Sequence, residues 1–469
     1  MKKNEKDEKK SGIEELRKKL LYKQKNGFET EIDAKAVAEY CEGYKAFLDA
    51  SKTEREAVKT AVALAEKAGF VPFSLGRKPV KGKGYYAVNR NKSLVLFILG
   101  SEPLENGIYI SAAHVDSPRL DIKQRPLYET DGMSFLKTHY YGGIKKYHWV
   151  ATPLALHGIV VRADGTSVDV CIGEDDADPV FYINDLLPHL GRDQMKRAAS
   201  DVISGEQLNI LMGTEPVKGE GSDLIKLNVL KLLNEKYGIT EADFLSAELC
   251  CVPAFKAKDV GLDRSLIGGY GHDDRVCAYP ALTAILKEKK PKHTLMVVLA
   301  DKEEIGSEGT TGMKSRFTFD IISDLCAAFK ANENVVRENS KCISADVGAA
   351  FDPNFPEVYD RRNNCFLNHG VVVMKFTGAG GKGGSNDAGA EFCGFVRSAF
   401  DCGGVLWQTS ELGKVDGGGG GTVAKFFAEK GIDVIDVGVP VLSMHSPYEV
   451  VSKIDVYMME RASTAFFAS

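Results

Sequence analysis

The sequence predicts an α/β protein, a mixed and mostly parallel sheet flanked by helices and interrupted by a β-rich insert. Three observations predict it. Apolar runs such as Gly107-Ile-Tyr-Ile-Ser-Ala-Ala113 and Thr294-Leu-Met-Val-Val-Leu-Ala300 stop abruptly on polar or charged residues. From Ala247 to the end such runs alternate with helical stretches, the pattern of a sheet covered on both faces. Between about Ile122 and Ser246 the pattern changes to shorter β segments.

Taken in order, residues 12–69 carry three helical stretches, including Glu31 to Ala50 and Glu54 to Lys67, and strands then lead to His114. Tyr140-Tyr-Gly-Gly-Ile-Lys-Lys-Tyr-His-Trp149 reads as a β segment, and Leu156 to Ile172 as a hairpin turning at Ala163-Asp-Gly-Thr166. The polar stretch Arg192 to Ser222 reads as an exposed loop or a partly disordered segment. The expected division is 1–121 as the first part of one domain with a helical start, 122–246 as the insert, and 247–469 as the second part. No internal repeat is apparent.

Composition narrows the function. A chain of 469 residues with 44% hydrophobic content can bury a large core. Its net charge of -5 offers no basic footprint for nucleic acid, and no apolar run approaches the ~20 residues needed to span a bilayer. Neither nucleic acid nor membrane is therefore an expected partner. Met1 to Lys10 is charged with both signs and lacks the apolar core of a signal peptide. The ten cysteines show no paired spacing, and Cys250 and Cys251 are adjacent. A reducing cytoplasm is the expected compartment.

The chemistry begins with Glu303 and Glu304, in Ala300-Asp-Lys-Glu-Glu-Ile-Gly306. Adjacent carboxylates repel, and divalent cations give a fold a reason to hold them together: one carboxylate ligates metal while the other stays free as a base for an activated water. Alone, such a pair also reads as a solvated loop, so it counts only beside other ligands. Those are found where apolar runs stop. His114 ends one strand, with Asp116 two residues on. Asp273 and Asp274 follow the glycine stretch Gly268-Gly-Tyr-Gly271, Cys342-Ile-Ser-Ala-Asp346 ends on a carboxylate, and Ile432 to His445 ends on a second imidazole. In open α/β sheets ligands bind at the carboxyl ends of strands. Imidazoles and carboxylates together suit zinc or a neighbouring first-row metal. Singly, each histidine could be structural, Asp346 a helix cap, and Asp273-Asp274-Arg275 a salt-bridged turn.

Two glycine-rich loops raise other possibilities. Gly378 to Ser385 lacks the spacing and the Lys-Ser/Thr pair of a phosphate-binding loop, so nucleotide binding is not expected. Gly417 to Gly421, before Thr422, could let the backbone approach a substrate or could be a flexible connector.

The motifs Ala113-His-Val-Asp-Ser-Pro118, Asp273-Asp-Arg275, Lys302-Glu-Glu-Ile-Gly-Ser307, Ser344-Ala-Asp346 and Ser443-Met-His-Ser446 resemble those of the aspartyl aminopeptidase family. These are two-zinc exopeptidases that assemble as tetrahedral dodecamers. The resemblance runs in the same motif order from about Gly84 to the C-terminus and includes Tyr86-Ala-Val-Asn-Arg-Asn-Lys-Ser93 and Asp416-Gly-Gly-Gly-Gly-Gly-Thr422.

The resemblance implies a metal-dependent aminopeptidase that hydrolyses the N-terminal bond of peptides with a free N-terminus. It implies two divalent ions per subunit, zinc first, with cobalt or manganese as alternatives. His114, Asp273 and Asp346 would hold one ion and Asp273, Glu304 and His445 the other; the choice of Asp273 over Asp274 as the bridge comes from the resemblance and not from spacing. Glu303 would be the general base for a two-metal-activated water, and Asp116 would orient His114. Gly421 and Thr422 would bind substrate in a glycine-threonine turn. The insert would be a dimerisation domain, and His189 would reach a neighbouring subunit's site in a homododecamer. One segment departs from the family: His148-Trp-Val-Ala-Thr-Pro-Leu154 stands where a Trp-containing motif is followed by Arg-Asp-Leu. A preference for acidic N-terminal residues is therefore not carried over. A two-metal deacylase of small N-acyl amides is the alternative function, because it needs the same centre.

Overall fold

Three adjacent strands of the main sheet bury every residue. Ser93–Ile98, Ile108–His114 and Thr294–Ala300 are buried along their whole length, as strands covered on both faces must be. The computed structural model describes residues 12–469. Nine strands form this sheet, in the spatial order Val71–Pro72, Gly84–Asn89, Ser93–Ile98, Thr294–Ala300, Ile108–His114, Lys341–Ala345, Asp433–Gly438, Val371–Met374, Trp407–Thr409. Its centre is parallel, and Ser93–Ile98 and Val371–Met374 supply the antiparallel pairings. The mixed, mostly parallel sheet is as the sequence predicts.

Alternate side chains of one strand enter different layers. Leu94, Leu96 and Ile98 pack into the layer that includes helices Ala34–Asp49, Glu54–Lys67, His272–Lys287 and Lys453–Ala468, whereas Val95 and Phe97 pack on the face covered by Phe317–Phe329. The first two of these helices start where the sequence supplies caps. Asp33 accepts from the Lys35 and Ala36 amides, and Thr53 and Glu56 form a reciprocal capping box. Residues 12–20 are helical as well.

A second sheet has six strands, in the order Ser167–Ile172, Leu154–Val161, Ala247–Pro253, Arg119–Thr130, Met133–Tyr141, Ile210–Gly213. It is antiparallel throughout and encloses its own core, with Trp149 fully buried. Its hydrogen bonding begins at Arg119 and ends at Pro253, beyond the expected 122–246 at both ends, because the strands by which the chain enters and leaves pair with each other through Cys250 and Asp121. Beyond Tyr141 the segment read as β leaves the sheet for a short turn at Lys146–His148. The stretch from Arg192 to Ser222 is not all loop, since Ile210–Gly213 pairs with Met133–Tyr141.

A third, five-stranded sheet joins Leu266–Gly269 to Glu449–Ser452. The glycine stretch before Asp273 is thus partly strand rather than free chain. Among the described residues no helix is long and apolar enough to cross a membrane.

Candidate metal centre

Register places the centre. Ile108–His114 lies between Thr294–Ala300 and Lys341–Ala345, parallel to both, with Ala300 opposite His114 and Ser344 opposite Ala112. The residues that follow these strands therefore emerge together: His114, the Glu303–Ile305 turn and Asp346. Lys302 at φ 64° and Gly306 at φ 86° bracket that turn. Asp273 enters from the start of the His272–Lys287 helix, after Gly271 at φ 76°. A Cβ at Gly271 would lie 1.7 Å from Arg275 Nη1, so this position requires glycine. His445, at φ 63°, completes the group.

The Asp273 carboxylate sits between the two imidazoles. Its Oδ1 is 3.1 Å from His114 Nε2 and its Oδ2 is 3.2 Å from His445 Nε2. His114 Nε2 is also 3.9 Å from Asp346 Oδ1, and His445 Nε2 is 3.4 Å from Glu304 Oε2. Within each of the triads His114, Asp273, Asp346 and Asp273, Glu304, His445, the ligand atoms all lie within 4.8 Å of one another. Glu303 Oε2 stands 3.9 Å from His114 Nε2, beside the first triad. Asp274 turns away, its Oδ2 accepting from the His114 backbone N–H at 3.3 Å. The contacts thus separate two adjacent aspartates that spacing left open.

These groups suit a cation. Asp273 Oδ1 and Glu304 Oε1 are buried and complete no hydrogen bond. Burial, then the neighbouring Asp273 charge, pushes the Glu304 carboxyl well up; burial and Asp274 do the same to Asp346. Burial raises Glu303 to about 7. Although burial opposes charge on the His114 ring, Asp116 and Asp273 hold its pKa well above the usual value, and Asp273 and Glu304 raise His445 to about 10. Negative charge is in surplus here, and divalent cations would relieve it. The mixture of imidazole nitrogen and carboxylate oxygen is a zinc donor set.

Buried acids hold the parts in place. Asp116 Oδ1 lies 3.4 Å from His114 Nδ1 and accepts from the Glu303 N–H at 3.1 Å, while its Oδ2 accepts from the Glu304 N–H at 3.2 Å and from the Tyr141 hydroxyl at 2.7 Å. Behind the turn, Asp301 accepts from Lys302 Nζ at 2.9 Å and from Thr311 Oγ1 at 2.5 Å. Glu449, which no sequence motif marks, accepts from the backbone N–H groups of His445 and Asp273. A glutamate four residues after a candidate ligand histidine is its only signal.

A cleft of about 410 Å³ opens over Asp273, Glu303, Glu304, Asp346 and His445. Gly421 and Thr422 line it, with Met374, Leu412, Phe426 and Met444 as apolar wall and Lys425 as a cation. The Thr422 hydroxyl is committed to Asp436 Oδ1 at 2.7 Å, so its chain offers backbone rather than hydroxyl to the cleft. His189 lies in an exposed segment and does not line the cleft.

Comparison with known proteins gives the family. The sequence pattern of the family "Aminopeptidase I zinc metalloprotease (M18)" matches residues 47–467. A probable M18 family aminopeptidase 1 of Clostridium acetobutylicum is 48% identical over 460 residues, covering 95% of this chain and 98% of the relative. The crystal structure of an M18 aminopeptidase from Thermotoga maritima superposes with a TM-score of 0.92 at 44% identity, covering 95% of this chain and 99% of that one. The aminopeptidase mApe1 of S. cerevisiae, solved as a dodecamer, shares the fold with a TM-score of 0.73 at 20% identity, covering 92% of this chain and 96% of that one. With most of its length matched at this identity, the chain belongs to the M18 family of zinc metalloproteases and is an aminopeptidase, a hydrolase of peptide bonds.

Proposed function

We propose that this aminopeptidase works with two divalent cations, zinc in the first place, one held by His114, Asp273 and Asp346 and the other by Asp273, Glu304 and His445. The observation that carries this reading is the Asp273 carboxylate, with one oxygen toward each imidazole. When bound, the cations would acidify a water and polarise the scissile carbonyl.

The chain's own residues do the rest. Glu303, which belongs to neither triad, accepts the proton of the attacking water and returns it to the departing amine. Asp116 orients His114 and fixes the backbone of the glutamate turn. Gly421 and Thr422 present backbone to the substrate, and the apolar wall receives its side chain. A free α-amino group beside Glu304 and the cations limits cleavage to the N-terminal residue.

The six-stranded sheet is, in this reading, a dimerisation domain of a homododecamer whose sites face peptides and not folded proteins. Its support is the exposed apolar group Leu186, Leu187, Leu190 and Met195 around His189, suited to burial against another subunit. All ten cysteines are free, as a reducing cytoplasm would leave them.

A panel of aminoacyl anilides, each with a free or an acetylated amine, assayed with added zinc, cobalt or manganese, tests the reading. Turnover confined to free amines is expected. Equal turnover of acetylated substrates would convert the assignment to a deacylase.

A further inference from the structure

We propose that Tyr141, Gly142 and Gly143, where the six-stranded sheet meets the cleft, form a positioning segment that sets both imidazoles and the Glu303-Glu304 turn, with the Tyr141 hydroxyl as its central bond. The inference rests on the two-cation reading above.

Tyr141 ends the strand Met133–Tyr141 and pairs in register with Arg119. The Arg119 guanidinium lies over its ring at 4.1 Å and is itself held by Glu54 at 2.9 Å and Asp121 at 2.7 Å. The ring is therefore clamped, and its hydroxyl has one direction to point. It donates to Asp116 Oδ2 at 2.7 Å. Asp116 is completely buried: its carboxylate accepts from the Glu303 and Glu304 amides and lies 3.4 Å from His114 Nδ1, whose hydrogen bond goes to the Asp116 backbone carbonyl at 3.0 Å. Three donors thus hold this carboxylate, the Tyr141 hydroxyl and the two glutamate amides. Without the tyrosine bond the carboxylate could rotate, which would release the backbone of both glutamates and move the charge that faces His114 Nδ1.

The next two residues act on the other half of the site. Gly142, at φ 76°, passes so close that a Cβ there would lie 3.4 Å from Glu304 Oε2 and 3.3 Å from Pro118 Cγ. The Gly143 carbonyl accepts a hydrogen bond from His445 Nδ1 at 2.8 Å. That bond places a ring proton on Nδ1 and turns Nε2 toward Asp273 and Glu304. Tyr141, at the end of a strand of the second sheet, and the two glycines that follow it thus contact groups carried by the other two sheets.

The test uses the full-length protein carrying Tyr141→Phe, which removes a single oxygen. Zinc affinity of the metal-free protein is measured by competition with a chromophoric chelator, the absorption bands of the cobalt-loaded protein are recorded, and kcat and KM are separated at saturating metal. We expect zinc affinity to fall about 10–100-fold, cobalt bands to shift, and kcat to fall while KM stays. In an Asp116→Ala background Tyr141→Phe should add no further loss, because the hydroxyl acts through that carboxylate. Gly142→Ala keeps the hydroxyl but strains the left-handed backbone between Pro118 and Glu304, and it should also shift the cobalt bands. Wild-type affinity and wild-type bands in Tyr141→Phe, even with a lowered Tm, would show that the hydroxyl only stabilises the fold. Unshifted bands in Gly142→Ala would overturn the role of the segment. A wild-type chain binding fewer than two ions would defeat the two-cation reading first, and this proposal with it.

Discussion

Glu449 and Asp273 are joined by a hydrogen bond in which the buried Glu449 Oε2 accepts from the Asp273 backbone N–H at 3.1 Å. Glu449 Oε1 accepts from the His445 N–H at 2.7 Å, so one carboxylate fixes the spacing between two candidate ligands from distant parts of the chain. Its own position is set by pairing with Gly269 across the third sheet. Glu449→Ala should leave two buried amides unpaired, at about 1–3 kcal/mol each, and should weaken zinc binding along with stability. Thermal unfolding beside chelator competition checks this. A variant that loses stability but keeps full zinc affinity would limit Glu449 to the fold.

The two adjacent glutamates should separate experimentally. Glu303→Gln should keep both ions and lose turnover by about 10²–10⁴, the usual contribution of a general base. Glu304→Gln should lose metal occupancy instead. Metal analysis beside steady-state kinetics on both variants decides it, and near-normal turnover in Glu303→Gln would sink the assignment.

Dialysis against a chelator should abolish activity, and added zinc, cobalt or manganese should restore it. The surplus of buried carboxylate around Asp273 also predicts that the metal-free protein is less stable than the loaded one, since a ligand bound only to the folded state adds stability. Activity persisting with less than one ion per chain would exclude a two-cation site.

A pH-dependent contribution to stability lies away from the cleft. His157, almost fully buried in the six-stranded sheet, contacts Glu56 of the Glu54–Lys67 helix at 2.7 Å and Glu174 at 3.1 Å. Burial disfavours its charge, but Glu174 and Glu56 outweigh that and raise it to about 9. A raised histidine adds stability that is complete below its unfolded value of about 6.5 and is lost as pH rises through about 9. The contribution is roughly 3 kcal/mol, the free energy that separates the folded and unfolded proton affinities of the ring. Denaturant unfolding of wild type and His157→Gln should therefore differ clearly at about pH 6 and converge near pH 10. An equal difference at both pH values would mean that the imidazole contributes packing alone.

The parts of the centre legible in the sequence are those at the ends of parallel strands. An apolar run such as Ile108 to Ala113 must be buried, so the polar residue that stops it, His114, is carried to the sheet's edge, and Ala300 and Ala345 do the same for the glutamate turn and Asp346. Side-chain direction is less legible. Asp273 and Asp274 have the same composition and neighbourhood, and only the backbone after Gly271 decides which carboxylate faces the imidazoles. Glu449 and Tyr141 act through single hydrogen bonds to partners far along the chain, for which periodicity carries no signal. The bounds of the six-stranded sheet are obscured for a related reason: Arg119–Thr130 continues with hardly a break from the strand that delivers His114.

The remaining prediction concerns His189. It is exposed, outside the cleft, and surrounded by Leu186, Leu187 and Leu190, of which Leu190 is 70% exposed. An apolar, solvent-facing segment that carries an imidazole has a reason to exist if another subunit covers it. If that subunit's site uses the imidazole, a dissociated chain should keep its metal yet lose most activity at saturating substrate. Leu187→Asp together with Leu190→Asp should dissociate the assembly by burying charge in the contact, and His189→Ala should leave the assembly intact while lowering kcat. Light scattering reports the first effect and kinetics on the intact assembly the second. A fully active monomer, or unchanged kinetics in His189→Ala, would show that each site is complete within one chain.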